Sequence, residues 1–179
     1  MSKIDQLVKT FQNIIYEPWP RGLSGQEKVW FLIYDPTDLR KLEFKLGEFE
    51  IATRNAQKSW HSISLKGKFT SWLASHDYKE SFFEEPTFLS DALEDDFKET
   101  IVNALKTEVS ANNNENTLVV LKDVSAIFGF IKLSELVNAI SKEVNGRLLV
   151  LFPGEFTNNQ YRLMDARDGW DYLARPIMI

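Results

Sequence analysis

Cysteine is absent from this chain of 179 residues, and histidine occurs only twice, as His61 and His76. The absence of cysteine excludes disulfide scaffolds, cysteine-ligated zinc or iron–sulfur sites, and cysteine nucleophiles. A histidine-rich metal site would need further ligands near the two histidines, so a structural role is the default for both. We therefore expect no metal site and no cofactor.

Long hydrophobic runs are also absent. The longest apolar runs span residues 29–34 and 148–152, whereas a membrane-spanning helix needs about 20 apolar residues. The N-terminus lacks the apolar core of a signal peptide. These absences predict a cytoplasmic protein that does not enter a membrane.

The charge balance is acidic, with a formal net charge of −5. A protein that coats nucleic acid would normally be basic, so we do not expect direct DNA binding. Hydrophobic residues make up 44% of the chain and aromatic residues 13%, which excludes a disordered chain. The length is typical of one domain, and we predict a single domain over residues 1–179.

Segments with strand-like and helix-like patterns alternate along the chain. Apolar runs rich in β-formers predict strands, and apolar residues at helical spacing predict helices between them. The predicted strands are residues 29–34, 60–65, 117–121 and 147–152, with a further edge strand expected in residues 172–179. This order predicts an α/β fold with a parallel or mixed central sheet of about five strands and helices on both faces. The arrangement would be Rossmann-like or degenerate P-loop-like, without a Walker A loop.

Two boundaries in this pattern are specific expectations. The four-residue apolar steps from Leu93 to Val109 predict one long helix, for which Ser90 is the expected N-cap. The last buried strand is expected to close at Pro153 and Gly154, because proline and glycine commonly end a strand.

Catalytic motifs are not recognisable. Residues 22–28 (GLSGQEK) fail the phosphate-loop pattern, because no glycine directly precedes the lysine and the segment lies before a strand. Glu43 and Lys45, with Asp35 upstream, resemble part of a metal-dependent nuclease site. Two residues apart on a helix, however, Glu43 and Lys45 point in different directions. We therefore predict no catalytic residue and a protein that is not an enzyme.

Polar or turn-forming residues follow three of the predicted strands: Asp35, then Asp123 and Ser125, then Gly154 and Glu155. Open α/β sheets bind ligands outside the carboxyl ends of their parallel strands. Turn formation explains aspartate and glycine at such positions as well. A small-ligand pocket at this edge and ordinary turns are therefore both open hypotheses.

Acidic residues are concentrated in residues 77–99. This segment contains nine acids and two lysines, a formal net charge of −7. The acids are Asp77, Glu80, Glu84, Glu85, Asp91, Glu94, Asp95, Asp96 and Glu99. The segment is either a solvated helix face or a docking face for a basic partner. Phe82 and Phe83, beside Glu84 and Glu85, would mark an interface if exposed and would belong to the core if buried.

The C-terminal segment, residues 161–172, mixes aromatic residues with arginine and aspartate. Its candidate partner-binding residues are Tyr161, Arg162, Asp165, Arg167, Asp168 and Trp170. Aromatic residues and arginine are enriched in interface hot spots. Arginine and aspartate also pair within a chain, so an ordered loop held by internal ion pairs is the alternative.

Several segments carry a resemblance to a known family. They are PWPRGLSG (18–25), VWFLIYD (29–35), GEFEIAT (47–53), SFFEEP (81–86), IFGF (127–130), LVLFPGEF (149–156) and NNQYRLMDARDGW (158–170). Through them the chain resembles the BrxB family of the BREX phage-exclusion systems, from near its N-terminus to its end. The last two segments together are the most specific.

The resemblance implies a role in defence against phage. It implies a non-catalytic accessory or assembly subunit that docks onto a PglZ-like phosphatase-family protein and supports host DNA methylation and phage restriction. The BrxC ATPase and the PglX methyltransferase are further expected partners. No enzymatic activity is attached to the family, so the resemblance carries over no catalytic residue. The alternative is a degenerate nucleotide- or phosphate-binding α/β protein with its pocket near Asp35, Asp123 and Glu155.

Overall fold

The computed structural model describes residues 1–163, 166–167 and 173–179. The helices are α1 (Lys3–Ile15), α2 (Leu39–Asn55), α3 (Lys68–Ser75), α4 (Lys79–Glu84), α5 (Thr87–Ala92), α6 (Lys98–Ala111) and α7 (Leu133–Ser141). The strands are β1 (Val29–Tyr34), β2 (Ser59–Ser64), β3 (Thr117–Lys122), β4 (Arg147–Thr157), β5 (Gln160–Leu163), β6 (Ala166–Arg167) and β7 (Arg175–Ile177). No helix in these residues is both long enough and apolar enough to cross a membrane.

The central sheet has five parallel strands in the described part of the chain, in the order β2-β3-β4-β1-β7. The far end of β4 pairs antiparallel with β5, and β5 pairs antiparallel with β6. The sheet is therefore parallel at its centre and mixed at this hairpin. The predicted α/β class is confirmed.

Helices cover both faces of the sheet. On one face, α1 and α2 pack against alternate residues of the central strands, including Trp30, Leu32 and Leu149. On the other face, α3, α6 and α7 pack against the intervening residues, including Phe31 and Val150. All six residues of β1 are buried. This two-sided burial explains why β1 appears in the sequence as a continuous apolar run and not as an alternating one.

One helix boundary differs from the prediction. Ser90 lies inside α5 and is not an N-cap. The chain continues from α5 through a five-residue π-helical turn, Leu93–Phe97, directly into α6. Apolar residues spaced four apart shift gradually around an α-helix, because it has 3.6 residues per turn. A π turn has more residues per turn and therefore returns these residues towards one face of the helix. The single long helix expected here is thus divided by a π turn.

The end of β4 also differs from the prediction. The strand does not close at Pro153 and Gly154 but continues to Thr157. Pro153 is the last residue that pairs with β1, and Gly154 is the first that pairs with β5. A Cβ atom on Gly154 would lie 2.0 Å from the carbonyl oxygen of Arg162. Proline and glycine therefore mark the point where the strand changes partner, and only glycine permits this approach of β5.

The C-terminal edge strand is confirmed as β7, which pairs with β1 and places Pro176 opposite Phe31. Proline is tolerated on an edge strand because one side of that strand needs no ladder hydrogen bond. Arg175 of β7 donates two hydrogen bonds to the carboxylate of Glu17, just after α1. This pair ties the edge strand to the N-terminal part of the chain.

Candidate functional site

Three aromatic side chains are exposed on the short helices α4 and α5 and just before them. Tyr78 is 67% exposed, Phe83 66% and Phe88 59%. They lie among four exposed acids: Glu80 and Glu84 on α4, Glu85 directly after it, and Asp91 on α5. We call these seven residues the acidic aromatic surface. The grouping of three exposed rings distinguishes this surface from an ordinary solvated helix, on which exposed aromatic residues occur singly.

The acids of this region lack cationic partners. Within the described residues, no lysine or arginine lies within ion-pair distance of any of the nine carboxylates of residues 77–99, and Asp96 alone lies close to a histidine, His76. The two lysines of the segment are occupied elsewhere. Lys79 donates to the carbonyl oxygen of Ala74, and Lys98 pairs with Glu135 of α7. The negative charge of the surface is therefore not neutralised by this chain's own described residues.

A packed aromatic cluster holds the acidic aromatic surface in place. Phe82, on the inner side of α4, is buried, and its ring lies 4.8 Å from that of His76 and 6.3 Å from that of Trp72. Asp96 contacts both Trp72 and His76. Its Oδ2 accepts a hydrogen bond from Trp72 Nε1 at 2.8 Å and lies 3.2 Å from His76 Nε2. The predicted candidate Phe82 thus serves as an anchor in the core, while Phe83 faces outward.

A cleft of about 720 Å³ lies beyond the carboxyl ends of β1, β4 and β7. The structure places Asp35, Gly154 and Glu155 along its wall, together with Lys3 and Asp38. Asp35 accepts hydrogen bonds from the backbone N–H and the hydroxyl of Thr37, which begin the 3₁₀ turn Pro36–Asp38. These bonds lower the pKa of Asp35 from its ordinary value. Its role here is that of a turn cap.

The other two predicted pocket residues lie elsewhere. Asp123 lines a separate cleft of about 260 Å³ and accepts a hydrogen bond from Ser64. Ser125 is exposed in the following 3₁₀ turn and lines neither cleft. Burial, with the nearby negative charges of Asp123 and Glu43, raises the pKa of Tyr34 to about 12. Tyr34 is therefore a neutral phenol and not a general base at neutral pH.

The larger cleft is unsuited to phosphate because its charged lining is three carboxylates and one amine: Asp35, Asp38 and Glu155 against Lys3. Phosphate groups are bound by cationic and N–H donors, and carboxylates repel them. Within the described residues, no three histidine or carboxylate side chains are placed to hold a metal ion that could reverse this charge. The nucleotide-binding alternative thus lacks support at the sheet edge where it was expected.

The C-terminal candidates lie only partly within the described residues. Tyr161 is 2% exposed, and its hydroxyl donates to the carbonyl oxygen of Ala174, so this ring belongs to the core and not to an exposed interface. Burial raises its pKa above the ordinary value. Arg162 is partly buried, and Arg167 lies in β6. Asp165, Asp168 and Trp170 lie outside the described residues.

Two features were missed by reasoning from the sequence. Tyr78 was not among the candidates, although it directly precedes α4 and is exposed. Lys28, Lys58 and Arg147 stand immediately before or at the start of β1, β2 and β4. A cation at the first position of several parallel strands could have been noticed from the sequence, because parallel strands begin at the same edge of the sheet.

A comparison with family models finds one described as BREX protein BrxB, which matches residues 62–177. The matched range contains the acidic aromatic surface and four of the seven segments that carry the resemblance; residues 18–25, 29–35 and 47–53 lie outside it. No curated protein and no solved structure matches the chain.

Proposed function

The chain belongs to the BrxB family of BREX proteins and is thus a component of BREX phage defence, and we propose that it is a non-catalytic assembly subunit. In this proposal it docks onto the PglZ-like phosphatase-family protein of the same system through the acidic aromatic surface. By doing so it supports host DNA methylation and phage restriction. The BrxC ATPase and the PglX methyltransferase are further partners in the same assembly.

The observation that carries the proposal is the combination of exposed rings and unpaired carboxylates on the acidic aromatic surface. Aromatic side chains in the centre of an interface provide much of its binding free energy, because they bury large apolar areas at low entropic cost. Carboxylates around them favour a basic partner surface and accelerate association. Within the described residues these carboxylates have no ion pair to break before they bind.

The packing beneath the surface also supports docking. Phe82, Trp72 and His76 hold α4 from below, and Asp96 binds both Trp72 and His76. A surface that is ordered before association loses less conformational entropy on binding than a flexible one. The structure therefore supports a preformed docking face.

The test is co-expression with the PglZ-like protein of the same locus, followed by size-exclusion chromatography with light scattering and a titration of the purified pair. We expect a complex of defined stoichiometry. Phe83→Ser and Phe88→Ser should each weaken it by about tenfold or more, as is typical of an aromatic hot spot. Glu84→Lys with Glu85→Lys should slow association and reduce its dependence on salt.

Phe44→Ser is the matched control. Phe44 is 86% exposed and lies on α2, which packs on the opposite face of the sheet. This variant should bind like the parent chain. If the three surface variants also bind like the parent, the acidic aromatic surface is not the interface. Charge reversal at Arg167 and Asp168 then tests the C-terminal segment. If the unmodified pair elutes separately, the PglZ-like protein is not the direct partner.

A further inference from the structure

A third cleft, of about 460 Å³, lies at the edge of the sheet opposite the carboxyl ends. We call it the amino-edge cleft. Its cationic lining is Lys28, Lys58 and Arg147, each at or just before the start of a parallel strand, and Arg21. Its single acidic residue is Glu115, which pairs with Arg21 at 3.2 Å. The strand order β2-β3-β4-β1 brings these residues together from distant parts of the chain.

Three of the four cations have no carboxylate partner within the described residues. Lys28 Nζ donates to the carbonyl oxygen of Val144 at 2.6 Å, and Lys58 Nζ donates to Asn116 Oδ1 at 3.0 Å. Arg147 donates to the carbonyl oxygens of Gly146 and Pro20. These neutral acceptors satisfy some donors but leave the positive charges uncompensated, and like charges gathered at one edge repel one another.

Arg147 makes the arrangement unusual, because it is only 4% exposed. A buried charge is costly unless an opposite charge compensates it. Burial lowers the pKa of the guanidinium from its ordinary value, yet arginine stays protonated in proteins. The Arg147 guanidinium has five N–H donors, and its two hydrogen bonds to carbonyl oxygens leave the other donors unused. An anion in the cleft would supply the missing counter-charge.

Trp19 forms part of the same wall. Lys58 Nζ lies 4.5 Å and the Arg147 guanidinium carbon 5.2 Å from the centre of its ring. Both contacts are cation–π interactions, which hold the two cations in position but do not neutralise them. The indole Nε1–H of Trp19 is buried and has no hydrogen-bond partner in the described residues. Trp19 therefore positions two of the cations that line the cleft.

We propose that the amino-edge cleft binds the phosphate group of a small molecule, either inorganic phosphate or the phosphate chain of a nucleotide. Guanidinium and ammonium groups bind phosphate through charge-assisted hydrogen bonds, and the guanidinium fork matches its oxygens in pairs. The site lies at the opposite edge of the sheet from the acidic cleft lined by Asp35 and Glu155. It is also separate from the acidic aromatic surface, so the two proposals succeed or fail independently.

The test measures the thermal unfolding midpoint and the calorimetric Kd of the full chain with inorganic phosphate and with ATP, at constant ionic strength maintained with sodium chloride. For a chain of this size, a ligand at 100 times its Kd raises the midpoint by roughly 5–10 °C. Lys58→Glu should raise the Kd about tenfold or more, because it replaces a cation at the site by an anion. Arg147→Lys should also weaken binding, since it keeps the charge but loses the fork.

Lys66→Glu is the matched control, because it makes the same charge change just beyond the other end of β2. Its Kd should equal that of the parent chain. Equal Kd values for phosphate and ATP would identify a single phosphate group as the ligand, and tighter binding of ATP would identify the phosphate chain. No stabilisation by either anion would overturn the proposal. So would equal weakening by Lys58→Glu and Lys66→Glu, or equal stabilisation by sodium chloride alone. If Arg147→Lys does not fold, the comparison of Lys58→Glu with Lys66→Glu still tests the proposal.

Discussion

Asp96 is predicted to stabilise the fold beneath the acidic aromatic surface. Its carboxylate accepts the Trp72 indole N–H at 2.8 Å, and Trp72 itself is 7% exposed. A hydrogen bond to a charged group contributes about 1.5–3 kcal/mol. Because the Asp96 side chain is 55% exposed, water partly replaces the lost acceptor. We therefore expect Asp96→Ala to lower the free energy of unfolding by about 1–2 kcal/mol.

The assay is urea unfolding followed by tryptophan fluorescence, with the thermal midpoint as a second measure. The expected loss corresponds to a decrease of roughly 3–6 °C for a chain of this size. Asp96→Asn keeps an acceptor oxygen and should lose about half as much. Asp95→Ala is the control, because Asp95 is exposed and forms no ion pair within the described residues. If Asp96→Ala and Asp95→Ala agree within about 0.3 kcal/mol, the inferred contribution of this bond is refuted.

Two further predictions concern the backbone and pH. Gly154→Ala should lower the free energy of unfolding by about 2 kcal/mol or more, because its Cβ would meet the Arg162 carbonyl oxygen. Gly47→Ala, in the open middle of α2, should instead stabilise by about 0.5–1 kcal/mol; equal effects in urea unfolding would contradict the steric argument. Hydrogen bonds from Ser2 lower the pKa of Asp5 to about 2, so the carboxylate's stabilisation should be present above about pH 4 and be lost as the pH falls towards 2. The difference in thermal unfolding midpoint between the parent chain and Asp5→Asn should therefore decrease as the pH falls over that range. A difference that stays constant with pH would show that the charge of Asp5 does not cause the stabilisation.

The fold class could be predicted because it depends on local patterns. Six consecutive buried residues in β1 are visible in the sequence as an uninterrupted apolar run. Pro176 was expected only on an edge strand, and β7 is one. The boundaries were less predictable. The change of partner at Pro153 depends on β1, which lies more than 100 residues earlier in the chain.

The candidate sites were less predictable for the same reason. Phe82 and Phe83 are adjacent, but one packs against Trp72 and the other is 66% exposed. No local pattern in the short helix α4 distinguishes them. Asp35 and Asp123 both follow parallel strands, yet they line different clefts. Their strands, β1 and β3, are not neighbours, because β4 lies between them.

By itself, the sequence determined the α/β class, the acidic segment 77–99 and the family resemblance, because composition, periodicity and short motifs are properties of contiguous residues. Only the tertiary structure decided which of those acids lack an ion pair and which aromatic rings face outward. It also brought Lys28, Lys58 and Arg147 to one edge of the sheet. These outcomes depend on strand order and helix docking, which bring together residues far apart in the chain.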